Sequence, residues 1–159
     1  MDGAGNLYGT TELGGNSLPR CEPGGCGVIY ELSPPAVAGD PWLETTLYSF
    51  LGKGDGGNPR GSLWRDKLGN LYGTASQGGI KNSTGAGGPT NGTVFKLKAP
   101  DVSGGAWTLA VLHDFGGLTV GDGNFPWSEL TFVNGVFYGT TVLGGNEFSN
   151  GGTVFSLVP

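Results

Sequence analysis

The sequence predicts an all-β fold built of propeller-type, four-stranded antiparallel blades, and three observations predict it. The chain of 159 residues holds 34 glycines and 10 prolines, a content at which an aperiodic sequence is low-complexity. Yet hydrophobic residues make up 36% and charged ones only 13%, so apolar surface is available for burial and self-repulsion is weak. The apolar residues come in short runs bounded by Gly, Asn, Asp or Pro, and no stretch carries a sustained helical stripe. The runs also recur: four blocks return in one order at intervals of about 65 residues. Four antiparallel strands per period describe a propeller blade. A β-sandwich would use as many strands but has no reason to repeat its sequence.

Each block reads as a strand, rich in Leu, Val, Tyr, Phe, Thr and Trp. The first is Leu7-Tyr8-Gly9-Thr10, which returns as Leu71-Tyr72-Gly73-Thr74 and Phe137-Tyr138-Gly139-Thr140, each followed by a double glycine. The second is Gly27-Val28-Ile29-Tyr30-Glu31-Leu32, then Gly92-Thr93-Val94-Phe95-Lys96-Leu97, then Gly152-Thr153-Val154-Phe155-Ser156-Leu157. The third runs over 42–50 and again over 107–115. The fourth, Gly54-Asp55-Gly56-Gly57-Asn58-Pro59, is matched by Gly121-Asp122-Gly123-Asn124-Phe125-Pro126. The recurring glycine permits close backbone approach, and Tyr8, Tyr72 and Tyr138 are expected to fill the gap between blades.

The combination of Gly-Asn-Leu-Tyr-Gly-Thr, Gly-Thr-Val-Phe-Lys-Leu, Leu-Tyr-Ser-Phe and Asp-Gly-Gly-Asn-Pro resembles the Gloeo–Verruco tandem repeat of bacterial choice-of-anchor surface proteins, over almost the whole chain. The stretch Asp66-Lys67-Leu68-Gly69-Asn70-Leu71-Tyr72 is similar to the hairpin joining the first two strands of an NHL-type blade. That resemblance implies strands A at 61–66, B at 70–75, C at 93–98 and D at 107–115, one complete blade over 58–115. Before it, 5–50 supplies B (6–11), C (27–32) and D (42–50); after it, 126–159 supplies A (128–132), B (136–141) and C (153–158). The chain is thus expected to be a single repeat domain, 1–159, of about two and a half blades. Closed propellers typically take about four to eight blades, so the expectation is an open arc or a fragment of a larger propeller. The resemblance also implies a secreted or cell-surface location.

Charge and composition narrow the function. The net charge is −5, with no lysine or arginine cluster, so nucleic-acid binding is not expected. No apolar run approaches the ~20 residues of a membrane-spanning helix, and the start, Met1-Asp2-Gly3-Ala4-Gly5, has neither the charged nor the apolar region of a signal peptide. Cys21 and Cys26 flank Glu-Pro-Gly-Gly; a loop disulfide is the preferred reading, two free structural thiols the other, and no second pair exists for a zinc site. Neither a metal nor a cofactor is expected.

In an antiparallel blade the B–C and D–A connections leave one side, and here they include nearly all the long loops. Function on a rigid scaffold concentrates in such loops. The binding candidates on that side are Asp55, Asn58, Arg60, Asp122, Asn124 and Trp127: carboxylates and amides for sugar hydroxyls, with Trp64, Trp127 and Arg60 as a stacking platform. The alternative for the aromatic residues is packing between blades. The bland alternative for both aspartates is a turn, since Asp-Gly caps its own backbone. No Gly-x-Ser-x-Gly elbow is present and His113 is the single histidine, which leaves no credible catalytic set. The expected function is therefore a non-enzymatic binding segment for glycan or protein; the alternatives are a fragment of a glycan hydrolase or lyase working through carboxylates such as Glu12, Asp55, Asp122, Glu129 and Glu147, or a structural spacer. A blade lacking A and another lacking D leave open edges and uncovered faces, so self-association or further repeats are expected.

Overall fold

The computed structural model describes residues 1–16, 24–80, 91–102, 104–116, 122–145 and 151–159. Among these the chain is all-β, without a helix, in three antiparallel sheets, none closed into a barrel. The first sheet is a meander of β1 (Leu7–Thr11), β2 (Val28–Ser33) and β3 (Leu43–Ser49). The second holds β4 (Gly57–Pro59), β5 (Trp64–Arg65), β6 (Leu71–Gln77), β7 (Thr93–Lys98) and β8 (Thr108–Asp114). The third holds β9 (Asn124–Pro126), β10 (Thr131–Val133), β11 (Val136–Leu143) and β12 (Thr153–Leu157). The four repeated blocks fall on these strands in order.

The strand expected at 61–66 is in fact two short pieces on one edge of β6: β4 pairs Gly57 with Gln77 and Pro59 with Ala75, and β5 pairs Trp64 with Tyr72 and Arg65 with Leu71. The strand expected at 128–132 splits likewise into β9 and β10 along β11. Proline lacks an N–H and fits such an edge. Between the pieces the backbone leaves its own sheet for the next: Gly61 lies so close to Ser128 that a Cβ there would sit 2.7 Å from the Ser128 carbonyl oxygen. The edge that the sequence reads as one strand is interrupted by a sheet-to-sheet contact. Another irregularity is repeated, a register shift between Ile29 and Tyr30 against β3 and between Val94 and Phe95 against β8, the extra twist of a β-bulge at one position of consecutive sheets.

Alternation along each strand makes two faces. On the middle sheet one face carries Leu71, Gly73, Leu97 and Phe95, with Gly73 paired opposite Phe95; here it is named the ring face. A Cβ on Gly73 would lie 2.8 Å from the tip of the Phe95 ring, and Gly9 and Gly139 are covered in the same way by Tyr30 and Phe155. The ring over each glycine therefore comes from the neighbouring strand, while the tyrosines point the other way. Tyr72 fills the space between the second and third sheets against Phe137 and Tyr8 packs at the edge of the first core, as expected, and Tyr138 lies on an uncovered face. The opposite, threonine face carries Tyr72, Thr74 and Val94.

Core forms where the threonine face of one sheet meets the ring face of the next. Ile29 and Phe50 of the first sheet pack with Leu71, Ala75, Phe95 and Leu97 of the second; Tyr72, Val94 and Phe115 of the second pack with Leu130 and Phe137 of the third. Covered on both sides, β6 is buried from Leu71 through Ser76. On the outer sheets alternation survives, and β11 reads buried at Phe137, Gly139 and Thr141 but exposed at Tyr138, Thr140 and Val142.

The hairpins into β1 and β6 share one device. Asp66 accepts bonds from the Asn70 amide (2.9 Å), the Asn70 side chain (2.7 Å), the Leu68 amide (2.9 Å) and the Tyr72 hydroxyl (3.2 Å). Asp2 accepts the corresponding four from Asn6, Ala4 and Tyr8. Before β11 the device is replaced by Asn134-Gly135, with φ of 50° and 86°, the two positive angles of a tight hairpin turn. Burial pushes the Asp66 carboxyl upward, but the bonds from Asn70, Tyr72 and Leu68 outweigh it and hold the group below its ordinary value. Tyr8, half-buried and bonded to Asp2, is pushed up to about 12 by that burial and bond. A carboxyl with a depressed folded-state pKa stabilises the fold fully above its unfolded value of about 4, and that contribution is lost as pH falls through the folded value. Melting temperature against pH is therefore expected to drop more steeply below about pH 4 for the parent than for Asp66→Asn, and the two curves converge in acid. Parallel curves would contradict this assignment.

Candidate functional site

The same clasp joins each pair of neighbouring sheets and sets the position of the site. Asn58 and Phe125 hold φ of 52° and 54°, the left-handed region that asparagine tolerates and phenylalanine rarely adopts. In that conformation the Asn58 amide donates to the Cys26 carbonyl (2.7 Å) and the Phe125 amide to the Asn91 carbonyl (3.0 Å), each on the preceding sheet's side. Pro59 and Pro126 follow, fully buried, against Gly27 and Gly92. A second tie runs from the Thr10 hydroxyl to the Gly61 carbonyl (3.3 Å) and from the Thr74 hydroxyl to the Ser128 carbonyl (2.9 Å). Between the two ties, one residue past each proline, stand Arg60 and Trp127.

These two meet. The Arg60 guanidinium lies 4.4 Å from the centroid of the Trp127 ring and also pairs with the Glu12 carboxylate. The result is a row, Glu12–Arg60–Trp127, with one residue from each sheet. All three remain accessible, with side chains of Arg60 and Glu12 at 40% and 42% and Trp127 at 43% exposure. The ion pair is worth little at such exposure, and a cation over an exposed indole contributes about 0.5–1 kcal/mol. The row's consequence is position: the guanidinium is held over the indole ring, and both stand at the surface.

The other candidates have work within the loops. Asp55 accepts from the Tyr48 hydroxyl (3.1 Å), the Leu51 amide (2.8 Å) and the Lys53 amide (3.1 Å). Burial and the Asp55 charge together push the Tyr48 hydroxyl's pKa well up. Asp122 repeats the pattern, with the His113 Nε2 at 3.1 Å from both its oxygens and the Gly116 amide donating at 2.9 Å. His113 thus takes the slot of Tyr48, and both aspartates anchor the chain leaving the last strand of a sheet. Asn58 donates through its side chain to the Glu12 carbonyl (3.1 Å), holding the backbone beneath the row. Asn124 keeps its side-chain oxygen buried without a hydrogen-bond partner among the described residues. Cys26 is buried and disulfide-bonded, while Cys21 lies outside the described residues, as does Glu147.

Of the six binding candidates, Arg60 and Trp127 are brought together, and Asp55 and Asp122 are not part of their row. Glu12 belongs to it and was weighed in the sequence only as one of several carboxylates. The signal for it was its divergence: the matching positions after the Leu-Tyr-Gly-Thr block hold Ser76 and Val142. No group of three or more His, Cys, Asp or Glu is placed to hold a metal ion among the described residues, and no helix among them is long and apolar enough to cross a membrane. A separate pocket of about 340 Å³, lined by Gly54, Ile80, Val111, Leu112, His113 and Asp114, shares no residue with the row.

A family model for the Gloeobacter/Verrucomicrobia repeat matches residues 1–159. The chain belongs to this repeat family. No curated protein and no solved structure matches it. For a Gloeobacter/Verrucomicrobia repeat the recurring Asp-x-x-Gly-Asn-Leu-Tyr hairpin, the glycine–ring pairs and the Asn/Phe-Pro clasp are the scaffold, since each is used at least twice in equivalent contacts. Arg60 and Trp127, which differ at equivalent positions, take part in none of these repeated contacts.

Proposed function

We propose that this Gloeobacter/Verrucomicrobia repeat chain is a non-enzymatic segment of a secreted or cell-surface protein of the choice-of-anchor type. Its three sheets act as consecutive blades of a propeller-type arc, and it captures a glycan through Glu12, Arg60 and Trp127. The observation that carries the reading is the contact of Arg60 with an exposed Trp127 at two positions that the scaffold does not need. An exposed indole stacks on the apolar face of a sugar ring, and a flat guanidinium and a carboxylate beside it donate to and accept from ring hydroxyls. The propeller reading is supported by the meander order and by the two ties recurring at consecutive sheet junctions. The non-enzymatic reading is supported by Asp55 and Asp122, whose oxygens are committed to holding loops.

The test is capture on a glycan array with a panel of bacterial surface proteins printed beside it. Trp127→Ala and Arg60→Ala are each expected to weaken capture about tenfold or more, about 1.4 kcal/mol, with little change in melting temperature. Lys67→Ala, in the exposed hairpin before β6, is expected to bind as the parent does. Capture lost through Lys67→Ala, or retained by the Trp127→Ala and Arg60→Ala double variant, would remove the assignment. Binding confined to printed proteins would transfer the row to a protein partner.

A further inference from the structure

We infer that the two outer faces of this chain fit each other, and that a second copy docks head-to-tail, its first sheet on the third sheet of its neighbour. The inference rests on equivalence between positions. Twice within the chain, the threonine face of one sheet is covered by the ring face of the next. In the middle sheet that covering leaves Tyr72 at 5%, Thr74 at 1% and Val94 at 0% exposure. Their counterparts on the third sheet are Tyr138, Thr140 and Val154; Tyr138 is 44% and Val154 80% exposed, and Thr140 is exposed as well.

The opposite end presents the complementary surface. The ring face of the first sheet carries Leu7, Gly9, Tyr30 and Leu32 in the register of Leu71, Gly73, Phe95 and Leu97. Leu71, Phe95 and Leu97 are fully buried, whereas Leu7 is 40% exposed and Tyr30 and Leu32 are half-buried. The Tyr30 ring already covers Gly9, so this face has the shape of the two that are covered. The third sheet's open face is uncharged at Tyr138, Thr140, Val142, Val154 and Ser156, so nothing charged is desolvated at its centre. The first sheet differs at its margin, where Glu44 stands opposite Leu32 as Leu109 stands opposite Leu97; a charge there belongs to the wetter rim of an interface. One chain thus carries both halves of a contact that it already makes twice internally.

Such a contact is heterologous, one surface on a different one, and it extends unless the geometry closes. It differs from pairing through the open edges of β1 and β12, which would add strands to a sheet and leave the faces uncovered. It stands apart from the glycan reading, since none of its residues belongs to the Glu12–Arg60–Trp127 row.

Sedimentation of the chain over a wide concentration range tests it, with Val154→Lys and Leu7→Lys as variants. Both sites are exposed, so each variant is expected to keep the parent's melting temperature at concentrations where the parent is a single chain. The parent's mean mass is expected to rise with concentration above the 16.2 kDa of one chain. Either lysine variant alone is expected to lose association at least tenfold. An equal mixture of the two is expected to regain association and stop at dimers, because each variant retains the face that the other lacks. A parent that stays at one chain mass, variants that associate like the parent, or a mixture no better than its components would each overturn the proposal; the second of these outcomes would point to the edges.

Discussion

Phe95→Ala is expected to be among the most damaging single truncations in this fold, costing about 3–5 kcal/mol and about 6–20 °C in melting temperature for a chain of this size. The ring has 0% exposure, covers Gly73, and packs edge-on against Phe50 of the first sheet at 5.4 Å between centroids. Its removal opens a cavity between two sheets that neighbouring β-strands, tied by their ladders, cannot close. The repeat provides internal controls. Phe155 holds the same position in the third sheet and contacts Phe115 at 5.1 Å but is only half-buried, so Phe155→Ala is expected to cost less. Tyr30 holds it in the first sheet, on a face without a covering sheet, and Tyr30→Ala is expected to cost least. Thermal denaturation of the three variants at low concentration gives the order, and a Tyr30→Ala loss equal to that of Phe95→Ala would defeat the account of which faces are covered.

That order is not visible in the sequence, although much of the fold is. The spacing of Leu7-Tyr8-Gly9-Thr10 and its two returns placed strands β1, β6 and β11 within a residue or two, because a two-residue period leaves little choice of face. What failed was pairing. The partner of a glycine in the next strand depends on register across a loop, so the sequence did not show that Tyr30, Phe95 and Phe155 cover Gly9, Gly73 and Gly139. The blade assignment starts strand A at 61 and leaves the Asp-Gly-Gly-Asn-Pro block outside it, yet Gly57–Pro59 is a strand. Its conformation is imposed by the hydrogen bond that the Asn58 amide donates to the Cys26 carbonyl and by the close approach of Pro59 to Gly27, both distant in sequence.

The same reason limits what the sequence says of the site. Arg60 and Trp127 were legible as a pair because they follow equivalent prolines about 65 residues apart, a period that maps onto neighbouring sheets. The contact of Arg60 with Glu12 brings in another sheet, and its one marker was the divergence of Glu12 from Ser76 and Val142. Asp55 and Asp122 carried two readings, sugar contact or turn, of which the Asp-Gly pattern favours the turn. The bonds from the Leu51, Lys53 and Gly116 amides favour the turn. In a repeat, recurrence itself is evidence of scaffold duty, and divergence between copies is the better guide to binding.

The clasp makes the remaining large prediction. Gly92→Ala is expected to destabilise the chain by about 3 kcal/mol or more, through two costs that add. At φ +95° an alanine pays strain of about 1–2 kcal/mol. Its Cβ would also sit 2.6 Å from the Ala75 carbonyl oxygen and 2.5 Å from Cδ of Pro126. Neither atom can yield cheaply: Ala75 is in the β6 ladder opposite Thr93, and Pro126 is buried where the third sheet meets the second. Two other glycines separate the costs. Gly135 has φ +86° with nothing within 4 Å, so Gly135→Ala carries the strain alone, about 1–2 kcal/mol; Gly3 has open space and no positive φ, so Gly3→Ala is expected to be silent. Chemical denaturation should rank them Gly92, Gly135, Gly3. Because Trp127 directly follows Pro126, Gly92→Ala should also weaken glycan capture in whatever fraction stays folded, whereas Gly135→Ala should leave it intact. Equal stability losses at Gly92 and Gly135 would mean that the clasp yields to the added methyl, and that it does not fix the row of Glu12, Arg60 and Trp127.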